Sequence, residues 1–484
     1  VAVGTGLAED LELSKGVQII DCGGGTIVPG FVDAHLHVFA LADRLLSVDL
    51  GPRSGVRSIG ALVGRLREAA ARLGPGQWLK GKGYDNFALT EGRHPDRWDL
   101  DAASPDHPVK LTHRSHHAHV LNSLALARVG IDRYTPDPPG GLVERDLETG
   151  EPTGLLFELG ALLSERIPTP ESGQLDRGIE RASRELLSVG VTTFQDAGQT
   201  NGSLRWEQLR RWKRERMLRQ RVSVLLGWEG FQEFLHGGRA AFPPAPGLKL
   251  GGLKIVLDRT TGDLHPSRAE LRRMVREAHR RGWSVAVHAV EEETLEAALE
   301  AFEALSGEPS LGAPRHRIEH CSLCPPRLLR RLAAARVSVV TQPSFLFFHG
   351  DRYLKTVAPE HIPDLYPMGA IAAAGVRVAA SSDGPVVPAR PLTGIAAAVT
   401  RRAESGAVLA PDQRVGVDRA LRMHTSDAAW VLGLERQVGS VAVGKRADLV
   451  VLSGNPLTTP IDELGEIEAV MTLVGGEVIW AAEG

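Results

Sequence analysis

The stretch Ile27-Val28-Pro29-Gly30-Phe31-Val32-Asp33-Ala34-His35-Leu36-His37 decides the fold. It is an apolar run with β-branched residues that ends in two histidines two positions apart. Successive side chains of a strand point to opposite faces, so His35 and His37 share one face while Leu36 turns into packing. Two imidazoles on one strand face form a chelating pair for a divalent metal ion. Two histidines that merely line a strand would have the same spacing, and this segment alone does not separate the two readings.

Working outward, similar short apolar runs occur at residues 191–195, 221–226, 253–257, 284–289, 315–320, 337–342 and 376–381. Together with 27–38 they make eight candidate strands, alternating with amphipathic stretches such as 266–281 and 291–305. Alternating strand and helix predicts a parallel sheet, and eight repeats predict a closed α/β barrel of the (β/α)8, or TIM, type. Residues 39–188 are far too long for a barrel connection. They leave from the end of a strand where such barrels carry their active sites, so they are expected to form an insertion or lid subdomain over the site. Apolar runs at 17–21, 447–452, 468–473 and 478–480 predict a small composite β-sandwich domain from 1–27 and 436–484, leaving 28–435 to the barrel. Val1-Ala2-Val3-Gly4 reads as the interior of a strand, so the natural chain is expected to begin upstream, with a targeting segment there left open.

Composition narrows the function classes. With 484 residues, 43% hydrophobic and 24% charged, the chain can build one large core and a satellite. No apolar run approaches the roughly 20 residues that span a bilayer. A formal net charge of -3 offers no attraction to nucleic acid or to an anionic membrane. A small-molecule substrate is the expected partner, and a homo-oligomer is compatible with this. Three cysteines are too few for a disulfide framework, which points to a reducing, cytoplasmic compartment.

Further candidate ligands stand at the ends of the predicted strands. His288 ends Val285-Ala286-Val287, His320 ends Ile318-Glu319, and Asp383 follows Val378-Ala379-Ala380-Ser381-Ser382. Four histidines and a carboxylate in register are a nitrogen and oxygen ligand set suited to zinc or another divalent first-row metal. Lys254, in Gly252-Leu253-Lys254-Ile255-Val256-Leu257, would be costly to bury as an unpaired ammonium. It can pair with Asp258 on the same strand face, or it can be carboxylated by carbon dioxide. From chemistry alone the ion pair is favoured. The C-x-x-C of Cys321 and Cys324 lacks a second pair at zinc-ribbon spacing and reads as packing thiols.

The PGFVDAHLHV segment, the strand-end His288 and His320, SSDGPV and the C-terminal GSVAVGKRADLVVL resemble the amidohydrolase superfamily. The likeness is to the branch of YtcJ-like metal-dependent hydrolases and N-substituted formamide deformylase, and it runs through nearly the whole chain. It includes, in the insertion, Gly83-Tyr84-Asp85, Arg114 with His117, Asn122-Ser123 and Glu151-Pro152-Thr153-Gly154. The resemblance implies a binuclear centre. His35, His37 and Asp383 would hold one metal ion, His288 and His320 the second, and Lys254 would bridge both as a carboxylated lysine, reversing the preference for an ion pair. Two zinc ions are the expected cofactors. The implied activity is hydrolysis of a C–N bond in a non-peptide amide, formamide or related small molecule by a metal-bound hydroxide, with Asp383 as general base and acid.

Tyr84 and His117 are the substrate-pocket candidates from the insertion, and Arg259 is a third, or else a partner of Asp258. The pattern departs from the branch after His288, where Ala289-Val290-Glu291 replaces a Gly-Asp pair, and after Asp258, where Arg259 replaces glycine. Those changes bear on substrate more than on metal. The other members of the histidine-rich stretch, His113, His116 and His119, are expected to be solvated or capping. Competing readings are a mononuclear aminohydrolase that deaminates a heterocycle, and a non-catalytic regulatory or binding descendant of the fold.

Overall fold

The computed structural model describes residues 19–482, apart from 75, 116, 139–140, 169–171 and 260–262. The strands begin with β1 (Thr26–Pro29) and β2 (Phe31–Leu36). Six follow before residue 160: β3 (Val48–Asp49), β4 (Leu79–Tyr84), β5 (Val109–His113), β6 (Ala118–Leu121), β7 (Leu142–Arg145) and β8 (Pro152–Phe157). Next come β9 (Val191–Asp196), β10 (Arg221–Leu226), β11 (Leu248–Val256), β12 (Val285–Ala289), β13 (Arg317–His320), β14 (Ser338–Thr341) and β15 (Val378–Ala380). The chain closes with β16 (Leu449–Leu452), β17 (Ala469–Val474) and β18 (Glu477–Ala481).

Eight of these strands form a parallel sheet in the order β15-β14-β13-β12-β11-β10-β9-β2. Every residue of β2, β9, β13 and β14 is buried, as expected of strands covered on both faces. The helix Arg268–Arg280 is representative of the connections. Ser267 caps its start by accepting from the Glu270 amide, and Leu271, Met274, Val275 and Ala278 bury one stripe while its arginines face outward. The first and last strands meet through backbone bonds, His37 N to Gly384 O at 2.8 Å and Asp383 N to His35 O at 2.9 Å. The sheet therefore closes into the predicted TIM barrel, and its seam runs between His35-His37 and Asp383.

One irregularity shapes the barrel wall. Where β10 pairs with β11, Leu250 stands opposite Val224 and Gly252 opposite Leu225, so Gly251 is the extra residue of a bulge. Gly252 has φ +143°, and a Cβ there would lie 2.5 Å from the Ser284 carbonyl oxygen. A Cβ on Gly251 would lie 2.2 Å from Gln195 Nε2. Both positions demand glycine for space, and beyond them Lys254 stands opposite Ala286 and Val256 opposite His288.

Both ends of the chain contribute to an antiparallel four-stranded sheet in the order β1-β16-β17-β18. This alters one expected boundary. The run 27–38 is two strands, because Ile27 and Val28 pair with Val451 and Val450 in the small sheet and only Phe31 onward enters the barrel. Pro29, with no N–H to donate, ends the first ladder. Of the strand expected at 17–21, residues 19–21 are not extended into a ladder, since Asp21 accepts from the Gly23 amide and starts a turn. Residues 17–18 and Val1 to Gly4 lie outside the described residues.

Phe39–Ala182 is a second compact unit, built on a mixed sheet in the order β3-β4-β5-β6-β8-β7. One sheet face, with Leu79, Val109, Leu111 and Val120, packs with Leu62, Leu66 and Leu100 as its core. Among the described residues, no helix is long and apolar enough to cross a membrane.

Candidate metal centre

The seam gathers the predicted ligands. His35 and His37 leave the end of β2 with ring centroids 5.2 Å apart, His320 lies 5.0 Å from His35, and His288 lies 4.4 Å from His320. Asp383 Oδ1 sits 3.4 Å from His35 Nε2 and 3.2 Å from His37 Nε2. His35, His37 and Asp383 can offer one ligand atom each, all within 4.8 Å of one another. His320 and Asp383 hold left-handed backbone conformations, φ +70° and +56°. Such conformations are uncommon in residues other than glycine and recur at functional sites, where surrounding structure compensates them.

That compensation is visible across the seam. Asp33, buried beneath His35, accepts from the Ser382 hydroxyl at 2.5 Å, the Ser382 amide at 3.1 Å and the His35 amide at 3.2 Å. Ser382 Oγ accepts in turn from the Gly384 amide at 2.9 Å, which fixes the turn that carries Asp383. Burial pushes the Asp33 carboxyl up to about 6 against the pull of these donors.

The ring orientations are set from behind. His35 Nδ1 donates to Glu319, a fully buried carboxylate that also accepts from Arg317 Nε at 2.5 Å. Arg317 reaches on to Gln195, whose amide donates to Ser223 Oγ at 2.8 Å. His320 Nδ1 donates to Gln342 Oε1 at 2.8 Å, and Gln342 donates to Ser381 Oγ at 2.9 Å. With Nδ1 committed in both rings, Nε2 carries the free lone pair that faces the seam. Burial, with the Lys254 charge, lowers His35 to about 3, and burial likewise lowers His288 and His320, so these imidazoles are neutral and available as ligands. Glu319 is held well below the carboxylate range, since Arg317 and His35 outweigh its burial.

Lys254 is 3% exposed, and among the described residues it makes no ion pair or hydrogen bond. The pair with Asp258 that chemistry alone favoured is not formed. Burial lowers the Lys254 amine to about 8, opposed by the charges of Glu319 and Asp383. A divalent ion fits this donor set. Asp383 Oδ1 is buried and, among the described residues, has no hydrogen-bond partner of acceptable geometry, while the Nε2 atoms of His35 and His37 converge on it. Burial alone would raise the Asp383 carboxyl, but the His37, His35 and His320 rings hold it well below the usual range.

The remaining sequence candidates have partners of their own. Tyr84 is buried within the 39–182 unit, with its hydroxyl 2.9 Å from His94 Nδ1. His117, on the same unit, is exposed and pairs with Glu158 at 2.8 Å, and Arg114 pairs with Asp85 at 2.9 Å. Of the other histidines, His113 is partly exposed, His119 is buried against Thr112, and His116 is outside the described residues. Arg259 pairs with Glu293 at 2.6 Å. Cys321 and Cys324 are buried free thiols.

Sequence reasoning missed Glu319, Arg317, Gln195, Gln342 and Asp33. A signal existed for the first two. A carboxylate and a guanidinium two residues apart in a buried strand are as costly as Lys254 unless paired.

The sequence model described as the amidohydrolase family matches residues 18–480. The chain is 30% identical to the N-substituted formamide deformylase of Arthrobacter pascens, over 96% of this chain and 90% of that protein. It is 26% identical to the Bacillus subtilis protein YtcJ, over 99% and 94% of the two chains. An uncharacterized metal-dependent hydrolase from Pyrococcus horikoshii has a similar structure, with a TM-score of 0.75 and 27% identity, covering 92% of this chain and 90% of the other.

Proposed function

The chain belongs to the amidohydrolase family and is a metal-dependent hydrolase, and from that premise we propose that it cleaves the C–N bond of a small non-peptide amide, N-substituted formamide or related compound. The observation that carries the reading is the buried, unsatisfied Asp383 Oδ1, faced by the Nε2 atoms of His35 and His37. His35, His37 and Asp383 would hold one ion and His288 and His320 a second, with Lys254, carboxylated, as a further ligand and zinc as the metal. When bound, such ions lower the pKa of a water to about 7 and polarise a carbonyl oxygen.

The chain's own residues supply the rest. Asp383, kept ionised by the surrounding rings, takes the proton of the attacking water at a carboxylate oxygen and returns it to the leaving nitrogen. Glu319 and Gln342 keep His35 and His320 in the tautomer that presents Nε2. Lys254, lowered to about 8, has a neutral amine fraction at physiological pH. Its Nζ forms a C–N bond to carbon dioxide and releases one proton, giving a carbamate anion with two oxygens. Substrate contacts from Tyr84, His117 and Arg259 belong to the same proposal, and their partners His94, Glu158 and Glu293 would have to yield to a ligand. The setting we infer is cytoplasmic, without a nucleic-acid partner.

The test is turnover of metal-replete protein on a panel of N-substituted formamides, amides, lactams and carbamates. Asp383→Asn should abolish turnover while metal stays bound, and unchanged activity would remove Asp383 from this role. A one-ion centre is the second reading, favoured by the tight grouping of His35, His37 and Asp383. Two ions per chain with a carbamate at Lys254 select the binuclear form, and one ion with an unmodified lysine selects the mononuclear one.

A further inference from the structure

The 39–182 unit carries a cluster of cations that the hydrolytic reaction does not use. Lys80 and Lys82 project from β4 on the face away from that unit's core, and Lys110 projects from β5 on the same face. The register sets Lys80 directly opposite Lys110, Lys82 opposite Thr112, and Thr112 opposite His119 of β6. Like charges facing each other across adjacent strands are destabilising. Ordinary lysines on a polar sheet face relieve this by extending into water, but the side chains of Lys80 and Lys82 are only 24% and 16% exposed.

One carboxylate answers them. Asp43 bonds Lys82 and lies 3.8 Å from Lys80, while Lys110 has no ion-pair or hydrogen-bond partner among the described residues. Three ammoniums against one carboxylate leave two positive charges unbalanced. These groups line a cavity of about 280 Å³ together with Thr112, His119 and Gly160, all from the same unit. That volume is large enough for a phosphate or a short dicarboxylate, given about 30 Å³ per water. Burial, and then the charges of Lys82 and Lys80, lower the Lys110 amine to about 8.

We propose that this cavity is a binding site for a small doubly charged oxyanion, held by Lys80, Lys82 and Lys110, with the Thr112 hydroxyl as a further donor. The proposal does not rest on the hydrolytic reading.

Competitive acetylation of the intact, metal-loaded protein at pH 8, read lysine by lysine by mass spectrometry, tests it without depending on any variant. Inorganic phosphate and malonate are the probes, with chloride at equal ionic strength as the reference and exposed Lys355 as the internal control. At ten times its Kd, a bound anion should slow acetylation of Lys110 about tenfold, with Lys80 and Lys82 protected and Lys355 unchanged. Protection by phosphate alone assigns a tetrahedral oxyanion, by malonate alone a dicarboxylate, and by both a site for either. Protection of Lys110 should disappear in Lys80→Met. Equal slowing of all lysines, or slowing no greater than in chloride, would overturn the proposal.

Discussion

Replacing Glu319 by glutamine should weaken metal binding without removing any metal ligand. Glu319 is fully buried, accepts from His35 Nδ1 and balances the charge of Arg317, which is itself 3% exposed. Glutamine keeps the shape and one acceptor but deletes the negative charge. Loss of a carboxylate behind a ligating histidine lowers metal affinity about 10–100-fold, which is about 1.4–2.8 kcal/mol. Separately, Arg317 loses its counter-charge, and breaking a buried ion pair from one side costs about 3–5 kcal/mol of stability. The two consequences can be separated with Glu319→Gln combined with Arg317→Met, which removes the stranded cation. The double variant should recover much of the lost stability and none of the lost affinity. The assays are competition with a chromophoric chelator at fixed pH and urea unfolding of the metal-free protein. A Glu319→Gln protein whose metal affinity stays within about twofold of the parent would refute the reasoning, because the carboxylate would then not be tuning His35.

Three other perturbations follow from the same structure. Gly251→Ala, in the bulge of β11, places a methyl against Gln195 and Ser223 and should loosen the support of Arg317, so metal affinity falls although no ligand is touched. Unchanged chelator competition would dissociate the bulge from the site. Lys254→Met should reduce bound metal from two ions to one per chain by elemental analysis, and two ions in that variant would rule out a bridging carbamate. His424, 4% exposed, is lowered by burial to about 3, so the folded state keeps it neutral while the unfolded state, at 6.5, takes up a proton as pH falls. Its contribution is fully present above 6.5 and is lost progressively down to about 3, amounting to about 2 kcal/mol at pH 5. Urea unfolding of His424→Gln should show a correspondingly flatter decline between pH 7 and 5, and an unaltered slope would contradict this.

The repeated strand runs and the strand-end histidines were legible because both are local patterns. An apolar run that ends in histidine identifies itself without knowledge of its neighbours. The division of 27–38 into two strands was less so. Nothing in Ile27-Val28 tells which sheet it will join, and the Pro29-Gly30 break became meaningful only with Val450 and Val451 in place. Lys254 misled in an instructive way. A cation in an apolar strand calls for a partner, and Asp258 was the nearest candidate in sequence, whereas the charges it faces, Glu319 and Asp383, come from distant strands. The supports of the site were least visible, because Gln195, Arg317 and Gln342 acquire their roles only from cross-strand neighbours that no spacing rule brings together.

The seam has a further consequence during synthesis. Asp33 and Ser382, which lock it, are 349 residues apart in the chain. At about 5–20 residues per second, the first histidine pair therefore waits about 20–70 s on the ribosome before its carboxylate partner exists. If His35 and His37 are ligands, an ion met before Lys254 is made would be held by two nitrogens alone and would exchange freely. On the proposed ligand set, the choice of metal would fall to the finished barrel rather than to whichever ion the nascent chain encounters first.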